Sequence, residues 1–370
     1  METAPQTMKA RAVIVPRAGE APRVETIEVA PPGVGEVRVK ILASGVCHTD
    51  LHAQRRHFGR SFPYLLGHEG AGVVEAVGDG VTDLGVGEHV MLNWRAPCHR
   101  CRFCRAGRPT HCERPRVAAD ARLKREDGAS LGRVLGLGTF TTHTVVAAGQ
   151  CIPVSPALSP LATCLIGCGV ITGVGAAIFA AQVKAGEKVA VFGCGAVGLS
   201  VVMGAKLARA KQIIAVDRVA KKLEWARELG ATDVVDASAG DAVAAVEALS
   251  EGGVDHAFEA VGIPETLAQA AQSCALAGSC TMIGVPQPKT EVALSMPHLF
   301  YKRLTLRSTF YGDCLPARDF PLLADWYASG ELPLDRFVSE RIGLEEVGEA
   351  FAKMERGETI RSVIDLREPS

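Results

Sequence analysis

The sequence predicts an α/β protein of two domains, one mostly β and barrel-like, the other built on a doubly wound parallel sheet. Three observations carry this expectation. The chain has 370 residues, more than a single ordinary domain holds. Its first 150 residues are rich in Gly, Pro and short β-branched runs, such as 37–41 and 72–77. Alternation closed by turn residues is the pattern of antiparallel strands. Between 185 and 285 the character changes: strand-like runs at 188–192, 212–216, 232–235 and 281–285 alternate with helical runs at 196–209 and 220–229. That alternation is the pattern of a parallel sheet wrapped by helices.

Composition narrows the class. Apolar residues make up 48%, charged residues 22%, and the formal net charge is -1. This balance describes an ordinary soluble globule and calls for neither nucleic acid nor an anionic membrane as partner. Residues 1–10 lack an apolar core, so no secretory signal is expected and the location is expected to be cytoplasmic. In that setting the twelve cysteines read as metal ligands or thiols rather than disulfides. Residues 161–181 run uncharged for 21 positions, with Gly169 and Gly173 spaced as in membrane helix pairs. The run carries four glycines and directly precedes a strand and glycine loop, which favours a tightly packed internal segment over a membrane span.

The glycine loop is Gly193-Cys194-Gly195-Ala196-Val197-Gly198. Alone, such spacing is weak, because glycines punctuate ordinary turns. Here a strand precedes it, an apolar helix follows, and a second strand ends in Asp217, 19 residues beyond Gly198. Gly193, Gly195 and Gly198 would let backbone approach a pyrophosphate at the helix N-terminus, as in the Rossmann motif. Asp217 would accept from the ribose hydroxyls and repel a 2′-phosphate, which favours NAD over NADP; the adjacent Arg218 weakens that preference.

Cys98, Cys101, Cys104 and Cys112 follow the pattern C-x2-C-x2-C-x7-C. Four thiolates close a tetrahedral zinc shell and leave no open position, so this is expected to be a structural site. His99 and His111 are alternative ligands. Seven arginines between 95 and 116 face one acid, Glu113. A solvated lobe explains them more simply than a nucleic-acid-binding ribbon. Further ligand types stand apart in three segments: Cys47 with His48, Thr49 and Asp50; His68 with Glu69; and Cys168 between two glycines. No local spacing links these segments, and a lone buried Cys is usually a small hydrophobe.

The segment Gly67-His68-Glu69-x2-Gly72-x5-Gly78-x2-Val81 resembles the zinc signature of the medium-chain alcohol dehydrogenases. The cysteine lobe, the Gly167-Cys168-Gly169 segment and the glycine loop follow in that family's order, and the resemblance runs from about Met8 to Leu366. It implies a GroES-like catalytic domain at 1–170 that returns at 311–370, around a Rossmann NAD-binding domain at 171–310. Within the family, Leu92-Asn93-Trp94-Arg95-Ala96-Pro97-Cys98, Tyr311-Gly312-Asp313-Cys314-Leu315-Pro316 and the stretch from Phe337 to Leu344 resemble the mycothiol-dependent formaldehyde dehydrogenases, a branch related to the class III enzymes.

The resemblance implies two zinc ions per chain, one held by the four cysteines and a catalytic one held by Cys47, His68 and Cys168. It implies that Thr49 accepts the alcohol proton, which leaves through the cofactor ribose to His52. Glu69 would steer the catalytic zinc or pair with Arg361. His48 and Arg361 would meet the cofactor pyrophosphate, Lys222 the adenosine ribose and Thr172 the nicotinamide, while Trp94 would narrow the substrate pocket. The expected activity is reversible hydride transfer between NAD and a primary alcohol or hydroxymethyl-thiol adduct, by a homodimer or homotetramer. Two rivals stand beside it: a dedicated S-(hydroxymethyl)mycothiol dehydrogenase, and a zinc-ribbon binding protein without catalysis.

Overall fold

The computed structural model describes residues 5–55 and 62–367. The chain divides into two compact units, Met1–Cys168 with Leu315–Ser370, and Gly169–Cys314.

The first unit is built from two sheets. One runs in the order Leu123–Arg125, Arg23–Val29, Met8–Val15, Tyr64–Leu65 and Gly132–Arg133. The other runs Cys151–Pro153, His89–Leu92, Glu69–Val77, Glu36–Gly45, Arg361–Asp365 and Val338–Ile342, with His143–Ala147 also paired to Glu36–Gly45. The β-branched run seen in the sequence at 37–41 forms the middle of Glu36–Gly45. Val37, Val39 and Ile41 bury one face against Val74, Val90, Leu92 and Val146, as period-two alternation requires. The register of this strand positions everything that follows. Gly45 lies opposite Glu69 in the antiparallel partner and opposite Val363 in the returning C-terminal strand. Cys47, Glu69 and Arg361 are therefore brought to one end of three adjacent strands.

The second unit is a six-stranded parallel sheet, ordered Asp233–Asp236, Gln212–Asp217, Lys188–Phe192, Val254–Glu259, Cys274–Met282 and Thr305–Ser308. Chain order reverses between Lys188–Phe192 and Val254–Glu259, the doubly wound arrangement whose crevice binds dinucleotides. The helices Ala196–Leu207 and Ala220–Leu229 fall where the sequence predicts them, the first ending two residues early because Arg209 turns to φ 59. The expectation at 281–285 is displaced. The strand is Cys274–Met282, and the Ile283 and Gly284 N–H groups instead both donate to the Glu259 carbonyl at 2.8 and 3.0 Å, which turns the chain out of the ladder.

The uncharged run at 161–181 is not one helix. It comprises Pro160–Thr163, Cys164–Gly167, Gly169–Gly175 and a π-helical turn Ala176–Ala180, interrupted at Cys168, whose φ of −148 and ψ of −79 leave the helical region. Among the described residues no single helix is long and apolar enough to cross a membrane. The glycines serve close packing. A Cβ on Gly173 would stand 2.3 Å from the Val197 carbonyl oxygen and 2.5 Å from the Ser200 Cβ, and one on Gly204 would stand 2.9 Å from the Val174 Cα. On Gly175 it would meet the Gly312 oxygen at 2.7 Å and the Cys314 sulfur at 2.4 Å, so residues 311–314 pack into the second unit instead of returning to the first.

Two glycine substitutions should therefore move stability in opposite directions. Gly173→Ala inserts a methyl against backbone and should cost about 1–3 kcal/mol. Gly348→Ala, on the exposed face of the helix Val347–Arg356 with nothing within 4 Å, should gain about 0.5–1 kcal/mol. Thermal unfolding of the two variants beside the parent checks both signs.

Candidate active site and second metal centre

Cys47 closes the turn after the strand Glu36–Gly45 and caps the helix His48–Gln54. His68 and Glu69 open the strand Glu69–Val77 after Gly67, which sits at φ 95. Cys168 follows the turn Cys164–Gly167, which lies so close to its neighbours that a Cβ on Gly167 would stand 2.8 Å from the Leu92 carbonyl oxygen. Three segments without a common spacing thus converge: one donor atom each from Cys47, His68, Glu69 and Cys168 lies within 4.8 Å of all the others. The first three side chains are buried and Cys168 is half-buried.

The donors fit a zinc ion. His68 is fully buried, yet its Nε2 makes no hydrogen bond among the described residues, an arrangement that otherwise costs a desolvation penalty. Its Nδ1 lies 3.1 Å from an Asp50 oxygen. An Nδ1–H donated to that carboxylate leaves the Nε2 lone pair for a metal. The two thiols share acidity. A hydrogen bond from Cys168, then the charge of Arg361, holds the Cys47 thiol well below its usual range, while the same contact pushes Cys168 up.

Asp50, named in the sequence only among candidate ligand types, has a role that sequence reading did not assign. It is fully buried and accepts from Cys47 N at 3.2 Å, Gly67 N at 2.9 Å and the His68 ring. It thereby ties the two ligand segments to each other. The available signal was its place in the first helical turn, three residues after Cys47, where an acid closes a capping box. Glu69 pairs with Arg361 at 3.2 Å, and Arg361 also donates to the Cys47 sulfur at 3.6 Å. Burial pushes Glu69 up to about 7 although Arg361 pulls it down.

Thr49 and His52 are half-buried and three residues apart, on one face of the helix; His48 is exposed. Trp94 is half-buried, just past the strand His89–Leu92, and packs on the cluster around Val37 and Leu92.

The four-cysteine lobe is a second, separate centre. Cys98, Cys101, Cys104 and Cys112 bring their sulfurs within 4.8 Å of one another. The N–H groups of Cys98 and Cys101 donate to the sulfurs of Cys112 and Cys98, each at 3.3 Å. Backbone N–H groups of Cys104 and Glu113 hold the Cys101 thiol down at about 6. Four thiolates around a divalent ion leave a net charge of about −2, which the surrounding arginines offset. Arg95 donates to the Thr110 and Cys112 carbonyls at 3.1 Å, Arg116 reaches the Cys98 carbonyl at 3.5 Å, and Arg102 pairs with Glu113 at 2.8 Å while lying over the Phe103 ring. His99 and His111 are outside the sulfur cluster.

In the second unit the glycine loop has the form a dinucleotide requires. Gly193 takes φ 95, and a Cβ on Gly198 would stand 1.7 Å from the Gly193 oxygen. A Cβ on Gly195, the residue that caps the helix Ala196–Leu207, would meet nothing within 4 Å, so the backbone there faces open space. Asp217 accepts from Cys194 N at 2.7 Å, Arg218 N at 2.8 Å and Val219 N at 3.0 Å. A carboxylate has about four acceptor positions, so it braces the loop and keeps room for a further donor. The Lys222 and Asp217 charges both act on the Cys194 thiol. Thr172 is half-buried on the helix Gly169–Gly175.

Purified protein should contain about two zinc ions per chain. Asp50→Asn should weaken the centre at Cys47, His68 and Cys168 by about 10–100-fold, while the four-cysteine ion is retained. Chelator competition followed by metal analysis should then leave about one zinc per chain in the variant under conditions that leave two in the parent.

Residues 33–156 match the alcohol dehydrogenase GroES-like domain and residues 196–329 match the zinc-binding dehydrogenase domain. The chain is 35% identical to alcohol dehydrogenase 1 of Trifolium repens, over 99% of each chain. It is 37% identical to alcohol dehydrogenase class-3 of Myxine glutinosa, over 98% of this chain and 99% of the relative. It is 36% identical to S-(hydroxymethyl)glutathione dehydrogenase of Aspergillus oryzae, over 97% and 96%. Among solved structures, an alcohol dehydrogenase zinc-binding domain protein from Burkholderia ambifaria superposes with a TM-score of 0.93 at 34% identity, covering 98% of this chain and all of the other. Benzyl alcohol dehydrogenase from Acinetobacter calcoaceticus gives 0.91 at 31%, covering 97% and 100%. With both domain types present in order and the similarity spanning nearly the whole chain, this protein belongs to the zinc-dependent medium-chain alcohol dehydrogenases.

Proposed function

We propose that the chain oxidises a primary alcohol, or the hydroxymethyl adduct of a thiol, with NAD, and runs the reverse reduction. The observation that carries this reading is the donor set Cys47, His68 and Cys168, with an imidazole nitrogen buried and unbonded at its centre. Cys47, His68 and Cys168 would hold zinc, which would supply Lewis-acid chemistry at a hydroxyl or carbonyl, and NAD would supply the hydride acceptor. The chain's own groups do the rest. Asp50 fixes the His68 ring, and Arg361 offsets the negative charge of Cys47 and Glu69. Thr49 would take the alcohol proton, and His52, one helical turn further along, would release it to solvent. His48 and Arg361 meet the pyrophosphate, Thr172 the nicotinamide, and Lys222 with Asp217 the adenosine ribose. The negative charge of Asp217 favours NAD over NADP. Trp94 narrows the space for the reacting carbon.

The class-3 and hydroxymethylglutathione relatives support a thiol-adduct substrate, and the benzyl alcohol dehydrogenase supports a plain alcohol. Within the first of these, the motifs around Trp94 and Tyr311 favour mycothiol as the carrier. A homodimer or homotetramer is supported by the sheet edge Thr305–Ser308, paired on one side only, beside exposed Met296, Phe300, Tyr301 and Leu306. A cytoplasmic site of action is supported by twelve cysteines, none of them joined in a disulfide.

Thr49→Ala should nearly abolish alcohol oxidation in folded, zinc-replete protein, whereas Thr49→Ser should keep most of it. His52→Gln should cost on the order of 10²-fold, partly restored by small amine buffers. Turnover of Thr49→Ala near the parent value would overturn the proton route. Cofactor choice is read separately: the parent should reduce NAD far faster than NADP, and Asp217→Gly should narrow that gap with Arg218 free to meet a 2′-phosphate. Running these assays on primary alcohols, and on formaldehyde with and without mycothiol, separates the two substrate classes.

A further inference from the structure

On the first unit, where its two sheets meet, lies a cavity of about 480 Å³, within the size range of small-molecule sites. Lys9 and Arg11 reach its rim from the strand Met8–Val15, and Lys40 and His143 from two paired strands of the other sheet. Its floor includes Ile41 and Leu366. Three cations and an imidazole thus surround an apolar base, with no carboxylate in the lining. None of these residues belongs to the zinc or dinucleotide centres described above.

Two of the charges, those of Lys9 and Arg11, are held loosely. Lys9 pairs with Glu126 at 2.8 Å, and Arg11 pairs with Glu345; all four side chains are more than half exposed. Exposed pairs of this kind contribute little to stability, so either cation can turn to an incoming anion at small cost. His143 is different. It is 13% exposed, its Nδ1 is 3.1 Å from the Thr142 hydroxyl, and its Nε2 is 3.5 Å from Glu75. Burial holds its pKa below the usual imidazole value, with Glu75 opposing and Arg38 and Lys40 adding to the depression.

We propose that this cavity binds a phosphate monoester carried on a short apolar body, with the phosphate held by Arg11, Lys40 and Lys9 and the apolar part on Ile41 and Leu366. Three cations suit a dianion, and the uncharged floor suits a group that inorganic phosphate lacks. A bound dianion also opposes the positive field of Arg38 and Lys40 at His143. It therefore raises the folded-state pKa of that ring.

The test uses phenyl phosphate as probe on the zinc-replete enzyme, followed by the His143 ring resonance and by calorimetry. The expected result is a saturable shift of that resonance, a raised titration midpoint, and affinity at least about tenfold above that for inorganic phosphate. The double variant Arg11→Gln, Lys40→Gln should lose about tenfold or more in affinity while alcohol oxidation is unchanged. The proposal is overturned by an unmoved His143 resonance, by equal affinity for inorganic phosphate, or by a double variant that binds as the parent does.

Discussion

One buried cluster sets the terms for the rest of the first unit. Two thiols, an imidazole, two carboxylates and a guanidinium, from Cys47, Cys168, His68, Asp50, Glu69 and Arg361, lie together with almost no solvent exposure. Ionisable groups in such a place shift their pKa values or neutralise one another. Here they do both: the thiols divide a proton unequally, Glu69 is pushed towards neutrality, and Arg361 lies between Glu69 and Cys47. Cys47, Cys168 and His68 would hold a divalent ion that offsets the remaining thiolate charge.

The strands exist in the service of that balance. Gly45 cannot be larger, since a Cβ would stand 2.2 Å from a Glu69 oxygen. Its register against Glu69 on one side and Val363 on the other brings the acid and the base to the same end of the sheet. The second unit solves a different problem with the same economy. Its glycines clear a path for backbone, and Asp217 ties the loop to the end of the neighbouring strand.

How much of this is legible in the sequence depends on whether the chemistry is local. The four-cysteine lobe and the glycine loop are: the cysteine spacing encodes a closed shell, and the glycines with their flanking strand, helix and Asp217 encode a phosphate turn. Cys47, His68 and Cys168 are not, because only tertiary pairing joins them; resemblance to a family supplies what spacing cannot. The role of Asp50 is not legible because its partner His68, 18 residues away, is set by the fold. The run at 161–181 is ambiguous by spacing alone for a related reason: its glycines have the spacing of a membrane pair, and close helix packing inside a folded unit calls for the same small residues.

Arg361 carries a consequence for the order in which the protein is made. The residues it neutralises, Cys47 and Glu69, leave the ribosome early, but the guanidinium follows only after the entire second unit has been translated. Domains tend to fold as they emerge, and residues 169–314 can do so on their own contacts. The first unit cannot: until its last strand pairs with residues 43–45, the thiolate pocket lacks its cation. The nascent chain thus holds Cys47 and Glu69 without their cation throughout synthesis of the nucleotide unit.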